Sequence, residues 1–166
     1  MEDPNTAHQR DALMRRIAEL RRQGVCYACH DLATGELFRD QHVVYEDNDV
    51  RAALELYPRM RGHTIVLFKP HREDFTELME GEAGRVFGFC VLLARAIKEG
   101  LGAEKVYLNT MCDGGINHFH VQLFPRYPGD PIGSERFVAP RGTVVDGAET
   151  ARRIREALLR LKGESR

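Results

Sequence analysis

The sequence lacks a long apolar run, an excess of charge of one sign, and any internal repeat or low-complexity tract. The longest apolar stretch, Val86 to Ala94, contains Gly88 and is too short for a membrane-spanning helix. The 24 basic residues nearly balance the 25 acidic residues, and the formal net charge is −1. This balance favours neither a nucleic acid polymer nor an anionic membrane as partner, but it permits a small phosphorylated ligand. The first twenty residues are highly charged, unlike a signal peptide, so we expect a cytoplasmic protein.

Cysteine is scarce, with four residues in the chain. Cys26 and Cys29 are separated by two residues, whereas Cys90 and Cys112 stand alone and are expected to be small core residues. In a reducing compartment the close pair is expected to bind a metal or to form a redox dithiol rather than a structural disulfide. A tight turn at this spacing lets both thiolates hold one zinc ion. A redox pair normally follows a strand, whereas here a helix is predicted before it.

Hydrophobic periodicity predicts an α+β domain that covers residues 1–166, with a mainly antiparallel sheet of about five strands. A long helix over 81–99 is expected to pack on the sheet, and Gly100 ends it. Helices are also predicted near both ends, over 6–23 and 148–162, with a Pro- and Gly-rich surface loop over 126–147. A helical pattern fits residues 50–56 equally well. The predicted strands are 41–46, 50–56, 62–68, 104–111 and 118–124.

The segment from 118 to 123 alternates polar and apolar residues. In a strand this alternation places His118, His120 and Gln122 on one exposed face and directs the intervening residues into the core. Two imidazoles and an amide in one row suit a phosphate ester, because neutral imidazole is a nucleophile that can form a phosphoramidate intermediate. The same alternation also fits a half-buried strand whose polar face meets solvent.

An ordered set of short motifs resembles the histidine triad (HIT) superfamily. The resemblance covers roughly residues 25–127 and leaves the terminal helices (about 6–23 and 128–163) outside it. It includes the branch of the dinucleoside-tetraphosphate phosphorylases and galactose-1-phosphate uridylyltransferases, because the third triad position is glutamine. The motifs are Cys26-x-x-Cys29, Val44-Tyr45-Glu46-Asp47, Gly62-His63-Thr64-Ile65-Val66, Lys69-Pro70-His71, Leu108-Asn109-Thr110, His118-x-His120-x-Gln122 and Pro125-Arg126-Tyr127.

The resemblance implies that His120 is the nucleophile and that His118 and Gln122 complete the catalytic row. It also implies that His71 and His118 join Cys26 and Cys29 as ligands of a structural zinc ion. A glutamine amide only hydrogen-bonds, whereas a histidinium can also donate a proton to a leaving group. We therefore expect transfer of a nucleotidyl group to phosphate or a phosphorylated acceptor, with hydrolysis as a close rival.

Several residues are expected around a bound nucleotide. The resemblance places Glu55 at the ribose hydroxyls, although an exposed charge at a strand end fits equally well. His63 either lines the pocket or is a satisfied core histidine. Arg126 either reaches a phosphate or is solvated. The turn glycines either approach the phosphate closely or only shape the turn. The predicted nucleotide-binding residues are Glu55, His63, Asn109, Gly114, Gly115 and Asn117.

Two rival functions remain from the sequence. One is a regulatory protein that binds a nucleotide without turnover, and the other is a thiol redox protein. Dinucleoside polyphosphates are the favoured substrates by resemblance. HIT relatives commonly form homodimers through the long helix and the strand of residues 104–111, so a homodimer is expected here.

Overall fold

The computed structural model describes residues 4–112, 115–133, 135–138 and 140–164. Two helices come first, and the long helix lies between the third and fourth strands. The α-helices are α1 (Pro4–Arg22), α2 (Tyr27–Thr34), α3 (Glu80–Leu101), α4 (Glu135–Val138) and α5 (Gly147–Glu164), with a 3₁₀ turn at Phe75–Glu77. The strands are β1 (Val43–Glu46), β2 (Val50–Leu54), β3 (Thr64–Phe68), β4 (Lys105–Asn109) and β5 (His120–Arg126).

All five strands form one antiparallel sheet in the order β1-β2-β3-β5-β4. The first three strands are neighbours in the sheet in the order in which they follow in the chain, whereas β5 inserts between β3 and β4. The register pairs His120 with Leu67 and Gln122 with Ile65 on one side, and Gln122 with Asn109 on the other. The fourth strand therefore forms one edge of the sheet, and the predicted α+β fold with five strands is confirmed.

One face of the sheet packs against α3 and α5. Alternate residues of the strands point to this side, so Val66, Val121 and Leu123 join the same buried cluster as Leu93 and Ile97 of α3. Gly100 lets the two helices approach closely, because a Cβ there would lie 2.7 Å from the Arg153 carbonyl oxygen. The helices thus fill one face and leave the opposite face of β3 and β5 for other residues.

Three local predictions were wrong. The long helix does not end at Gly100, which is buried within it; Gly102 ends the helix in the left-handed conformation, with φ of 74°. The Cys26–Cys29 segment is not an isolated turn: Cys26 is the N-cap residue of α2, and Gly35 ends that helix in the left-handed conformation, with φ of 66°. The last strand begins at His120 rather than 118, so His118 lies just before it, and the side chains of His118 and Gln122 are buried rather than part of an exposed row. Among the described residues, no helix combines the length and apolar character that crossing a bilayer requires.

Candidate functional site

Four side chains from three parts of the chain meet beside the start of β5. Cys26 and Cys29 come from the start of α2, His71 follows β3, and His118 precedes β5. Their potential ligand atoms all lie within 4.8 Å of one another. Two thiols and two imidazoles are the donor set that tetrahedral zinc prefers. The predicted metal-binding cluster is thereby confirmed, and the four residues can hold a metal ion.

The tautomer of His118 suits a metal ligand. Its Nε2 lies 2.6 Å from the Phe68 carbonyl oxygen, which only accepts, so Nε2 carries the proton. The lone pair is therefore on Nδ1, which lies 3.3 Å from the Cys26 Sγ and 3.5 Å from the Cys29 Sγ. Metal-binding histidines commonly donate their other ring nitrogen to a carbonyl in this way. Burial lowers the pKa of His118, which keeps the ring neutral and able to ligate.

His120 is the first residue of β5, and its ring is half-buried at a cavity. Its Nδ1 lies 2.9 Å from the His118 carbonyl oxygen. Because this oxygen accepts, Nδ1 carries the proton and the lone pair is on Nε2. A positive charge that develops on the ring is stabilised by the same carbonyl. The arrangement leaves a lone pair on Nε2 of His120, and the backbone joins this residue to His118 of the four-residue cluster two residues earlier.

Gln122 lies next on the same face and is buried, with 7% of its surface exposed. Its Oε1 is 3.1 Å from Nε2 of His63, and the backbone N–H of Arg59 donates to Nδ1 of His63. His63 therefore donates through Nε2 to the glutamine oxygen. The NH₂ group of Gln122 remains as a donor in the cavity. His63 is thus a buried, satisfied histidine that also orients the third triad residue.

Stability is expected to fall as the solution becomes acidic, because His63 stays neutral in the folded protein. Burial, partly opposed by the Gln122 hydrogen bond, lowers the pKa of His63 from 6.5 to about 3. Between pH 6.5 and about 3, His63 binds a proton in the unfolded chain but not in the folded chain. The stabilising contribution of the neutral ring is therefore present above pH 6.5 and lost as the pH falls. His63 alone accounts for a slope of up to about 1.4 kcal/mol per pH unit.

Urea unfolding of the wild type and of His63→Asn between pH 7 and 4.5 measures this slope. The difference in unfolding free energy between the two proteins should shrink toward low pH. Because both retain the metal cluster, its own pH dependence cancels in the difference. A constant difference across this range would contradict the buried neutral state of His63.

The cavity at His120 has charged and aromatic walls. Glu55, just after β2, lies there with Arg141 from the C-terminal loop; Glu55 Oε1 is 3.7 Å from Arg141 Nη1. The Arg141 guanidinium also donates to the Tyr57 carbonyl. The rings of Tyr27 of α2 and Phe38 also line the cavity, and they meet edge to face. Glu55 is therefore half-buried at the site and not simply solvated at a strand end.

The other predicted nucleotide-binding residues either do not line this cavity or lie outside the described residues. Asn109 pairs with Gln122 across the sheet, and Asn117, which accepts from Cys26 through its carbonyl oxygen, precedes His118. Gly115 is exposed. Gly114 lies outside the described residues. Arg126 is neither solvated nor at the cavity, because it is buried and paired with Glu104 at 3.0 Å.

Sequence reasoning missed two contributors to the cavity. Arg141 was assigned to a surface loop, and no local pattern marks it as a site residue. Tyr27 and the rest of α2 could have been found, since Gly35 is a helix-ending signal after a run of helix-compatible residues.

Asp31 of α2 is buried, accepts from the backbone N–H groups of residues 37 and 38, and pairs with Arg51 at 3.5 Å. These contacts fix α2 over the sheet face.

A histidine at a cavity, a neighbouring buried amide and a Cys₂His₂ cluster thus lie together beside one five-stranded antiparallel sheet. The HIT domain family matches residues 37–129. The chain belongs to the HIT family. Among its relatives, an uncharacterised HIT-like protein of Methanocaldococcus jannaschii is 33% identical over 109 residues, covering 64% of this chain and 82% of that protein. The "Protein hit" of Bacillus subtilis is 35% identical over 98 residues, covering 55% and 66% of the two chains.

Solved structures agree in fold. A Zn-bound histidine triad family protein from Mycobacterium smegmatis superposes with a TM-score of 0.68 at 25% identity, covering 84% of this chain and 96% of that one. A hypothetical histidine triad nucleotide-binding protein from Sulfolobus tokodaii gives a TM-score of 0.66 at 28% identity, covering 82% and 94%. The zinc in the first of these relatives agrees with the donor set found here.

Proposed function

We propose that this HIT protein is a nucleotidyl-transfer enzyme that acts at the α-phosphate of a nucleotide, with dinucleoside polyphosphates as the favoured substrates. The observation that carries the proposal is the orientation of His120. Its Nδ1 is held by the His118 carbonyl oxygen, which leaves Nε2 with a lone pair at the cavity. Family membership and the nucleotide-binding relative from Sulfolobus tokodaii support the substrate class.

In the first step, Nε2 of His120 attacks the α-phosphorus, and the P–N bond forms as the P–O bond to the leaving group breaks. The leaving oxygen takes the electron pair of the broken bond. Nδ1 keeps its proton, so the ring carries a positive charge that the His118 carbonyl stabilises. The NH₂ group of Gln122 donates to a phosphate oxygen as charge develops, as in other sites that stabilise developing charge with fixed dipoles.

In the second step, an acceptor oxygen attacks the nucleotidyl phosphorus from the opposite side, and the P–N bond breaks to return its electron pair to Nε2. Phosphate is the favoured acceptor because it arrives as an anionic nucleophile that is already largely deprotonated. Water has to lose a proton, and Gln122 cannot act as a base. This difference in the third triad position favours the phosphorylase branch over hydrolysis.

Product analysis with and without inorganic phosphate tests the acceptor. With diadenosine tetraphosphate, attack by phosphate yields ADP and ATP, whereas attack by water yields AMP and ATP. We expect ADP to appear only with phosphate and to exceed AMP. Equal AMP formation with or without phosphate would assign the protein to the hydrolases. Tight nucleotide binding without product or covalent adduct would favour the regulatory alternative.

The metal ion is proposed to be structural. Cys26, Cys29, His71 and His118 supply four ligands, so a tetrahedral zinc ion has no position left for substrate. Its contribution is to fix the backbone of residue 118, whose carbonyl orients His120. The chain also has no need of a Lewis acid for the covalent step, because the imidazole forms the new bond.

A homodimer through β4 and α3 is proposed as well. The fourth strand is a sheet edge, and edge strands need a cover or a partner. Beside it, Leu108 is 47% exposed and Val91 of α3 is 53% exposed. A two-fold axis at this edge would pair the two copies of β4 and bury both side chains.

Sedimentation velocity tests the dimer. Val91→Asp places a charge in the proposed interface, so the wild type is expected to sediment as a dimer and the variant as a monomer. Leu159→Asp is the matched control, because Leu159 is 69% exposed on α5, away from β4. A monomeric wild type, or dissociation of both variants alike, would contradict the proposed interface.

A further inference from the structure

The third triad residue is followed on β5 by an aromatic side chain that faces the same way. Gln122 and Phe124 are two residues apart in the strand, so both project from the sheet face opposite α3 and α5. Phe124 is fully buried there. Its ring stacks on the imidazole of His63, with ring centroids 4.2 Å apart and an angle of 27° between the planes. Phe124 therefore covers one face of the ring that donates to Gln122.

A residue of the C-terminal loop packs on Phe124 in turn. The ring of Phe137 in α4 meets the Phe124 ring edge to face, with centroids 5.1 Å apart and planes at 84°. The same ring meets Tyr107 of β4 edge to face, at 5.6 Å and 73°, and Tyr107 pairs with Phe124 across the sheet. One half-buried side chain of α4 thus packs on β4 and β5 at once.

The segment that carries the α4 ring is bonded, on both sides of that ring, to the connection that leads into His63. Before the ring, the Tyr127 hydroxyl donates to the Arg61 carbonyl oxygen at 2.9 Å. After it, the backbone N–H of Gly142 donates to the Pro58 carbonyl oxygen at 2.8 Å. Both acceptors lie between β2 and β3. The α4 ring and His63 are therefore attached to the same connection.

We infer that Phe137 is a positioning residue for the transfer reaction and that it acts through Gln122. It packs on Phe124, whose ring stacks on His63. His63 lies 3.1 Å from Gln122 and donates to its Oε1, so direct contacts join α4 to the third triad residue. The inference rests on the proposed function, in which the NH₂ group of the glutamine donates to the phosphate.

The amide of Gln122 needs a fixed neighbour because its two ends have the same shape and opposite polarity. A donor on His63 facing Oε1 directs the NH₂ group to the phosphate, whereas an amide turned by 180° would present its oxygen to the phosphate oxygens, which repel it. The ring of His63 is fixed by the Arg59 backbone N–H at Nδ1 and by Phe124 on its face. Without the α4 ring, Phe124 loses its outer cover, and both the imidazole and the amide gain freedom to move.

Phe137 lies outside the segment that matches the family. The HIT domain match covers residues 37–129, whereas α4 begins at Glu135. His63, which orients the amide, lies within the match, and the aromatic side chain that supports it from outside comes from the residues after the match. The orientation of the third triad residue in this chain therefore depends on a contact that motif matching does not reveal.

A double-mutant cycle on the metal-loaded protein tests whether Phe137 acts through Gln122. Steady-state kinetics with diadenosine tetraphosphate and phosphate are measured for the wild type, Phe137→Ala, Gln122→Ala and the double variant. We expect Phe137→Ala to lower kcat by roughly 10-fold and to change KM by less than about two-fold, because it misplaces a group that acts in the transition state. In the Gln122→Ala background the same change should alter kcat by less than about two-fold, because the group that it positions is already absent.

Three further variants separate positioning from a general effect on the fold. Phe137→Tyr keeps the aromatic ring and should retain the wild-type kcat to within about two-fold. Val138→Ala, next to it on α4 and 78% exposed, should retain wild-type kinetics. Phe124→Leu keeps apolar volume but removes the stacked ring, so it should repeat both the loss of kcat and its dependence on Gln122, and it replaces Phe137→Ala in the cycle if that variant does not fold.

The outcomes distinguish this inference from the proposed function. Equal losses of kcat in the wild-type and Gln122→Ala backgrounds would overturn the inference alone, as would an unchanged kcat in Phe137→Ala or, if that variant does not fold, in Phe124→Leu. A wild type that forms neither product nor covalent adduct would contradict the proposed function itself.

Discussion

Replacing His120 with alanine is expected to abolish the covalent nucleotidyl-protein adduct and to lower kcat/KM by at least about 10⁴-fold. The reason is that the proposed route places the new P–N bond on Nε2 of this ring, and the neighbouring Gln122 amide is not a nucleophile. Intact-mass spectrometry of wild type and variant, mixed with diadenosine tetraphosphate in the absence of phosphate, measures the adduct directly. The wild type should gain the mass of one AMP group.

Two controls make this result specific. His120→Gln keeps a hydrogen-bonding side chain and should still form no adduct. His30→Ala removes a histidine that lies on α2 and contacts Glu36, so it should keep wild-type activity. An adduct that persists in His120→Ala would contradict the assigned nucleophile. Loss of the adduct in all three variants would indicate a general effect on the fold.

Removal of zinc is expected to produce the second large effect, a loss of stability together with a loss of activity. The cluster joins the start of α2 to the segment after β3 and to the segment before β5. A bound ion therefore stabilises contacts between residues that are far apart in the sequence. Structural zinc contributes folding free energy directly, and a loss of about 3 kcal/mol or more is expected. For a chain of this size that corresponds to a fall in Tm of roughly 10 °C.

The matched pair of variants is Cys26→Ser and Cys112→Ser. Both replace one half-buried thiol, but only Cys26 belongs to the four-residue cluster. The wild type and Cys112→Ser should bind about one zinc ion per chain, as measured by atomic emission, and should lose Tm on chelation. Cys26→Ser should already have the lower Tm and respond little to chelator. A wild-type Tm that is insensitive to complete zinc removal would contradict a structural role.

Burial adds a pH requirement to metal loading. Burial, with a smaller effect of the adjoining Cys26 thiol, raises the pKa of Cys29 to about 11. Thiolates rather than thiols ligate zinc, so binding has to displace protons. The cluster should consequently load more readily at pH 8 than at pH 6, and the stability comparison above is best made at the higher value.

The alternation of polar and apolar residues around β5 predicts which side chains enter the core, but it does not predict the surroundings of His118. Phe119, Val121 and Leu123 enter the core as predicted, because a strand's two-residue period is a local property of the backbone. His118 is buried rather than exposed as predicted, because its ring contacts the Phe68 carbonyl and lies beside two thiols from the start of α2. That position depends on where a distant helix packs, which periodicity does not encode.

The sequence by itself determined the sheet elements, the long helix, and the four candidate ligands of the metal cluster, whose assignment came from the resemblance to HIT proteins. These features follow from local propensity, periodicity and short motifs. Only the tertiary structure decided the tautomers of His63, His118 and His120, and the placement of Arg141 beside Glu55 at the cavity. Each depends on contacts between segments far apart in the chain, and such contacts arise only when the layers pack.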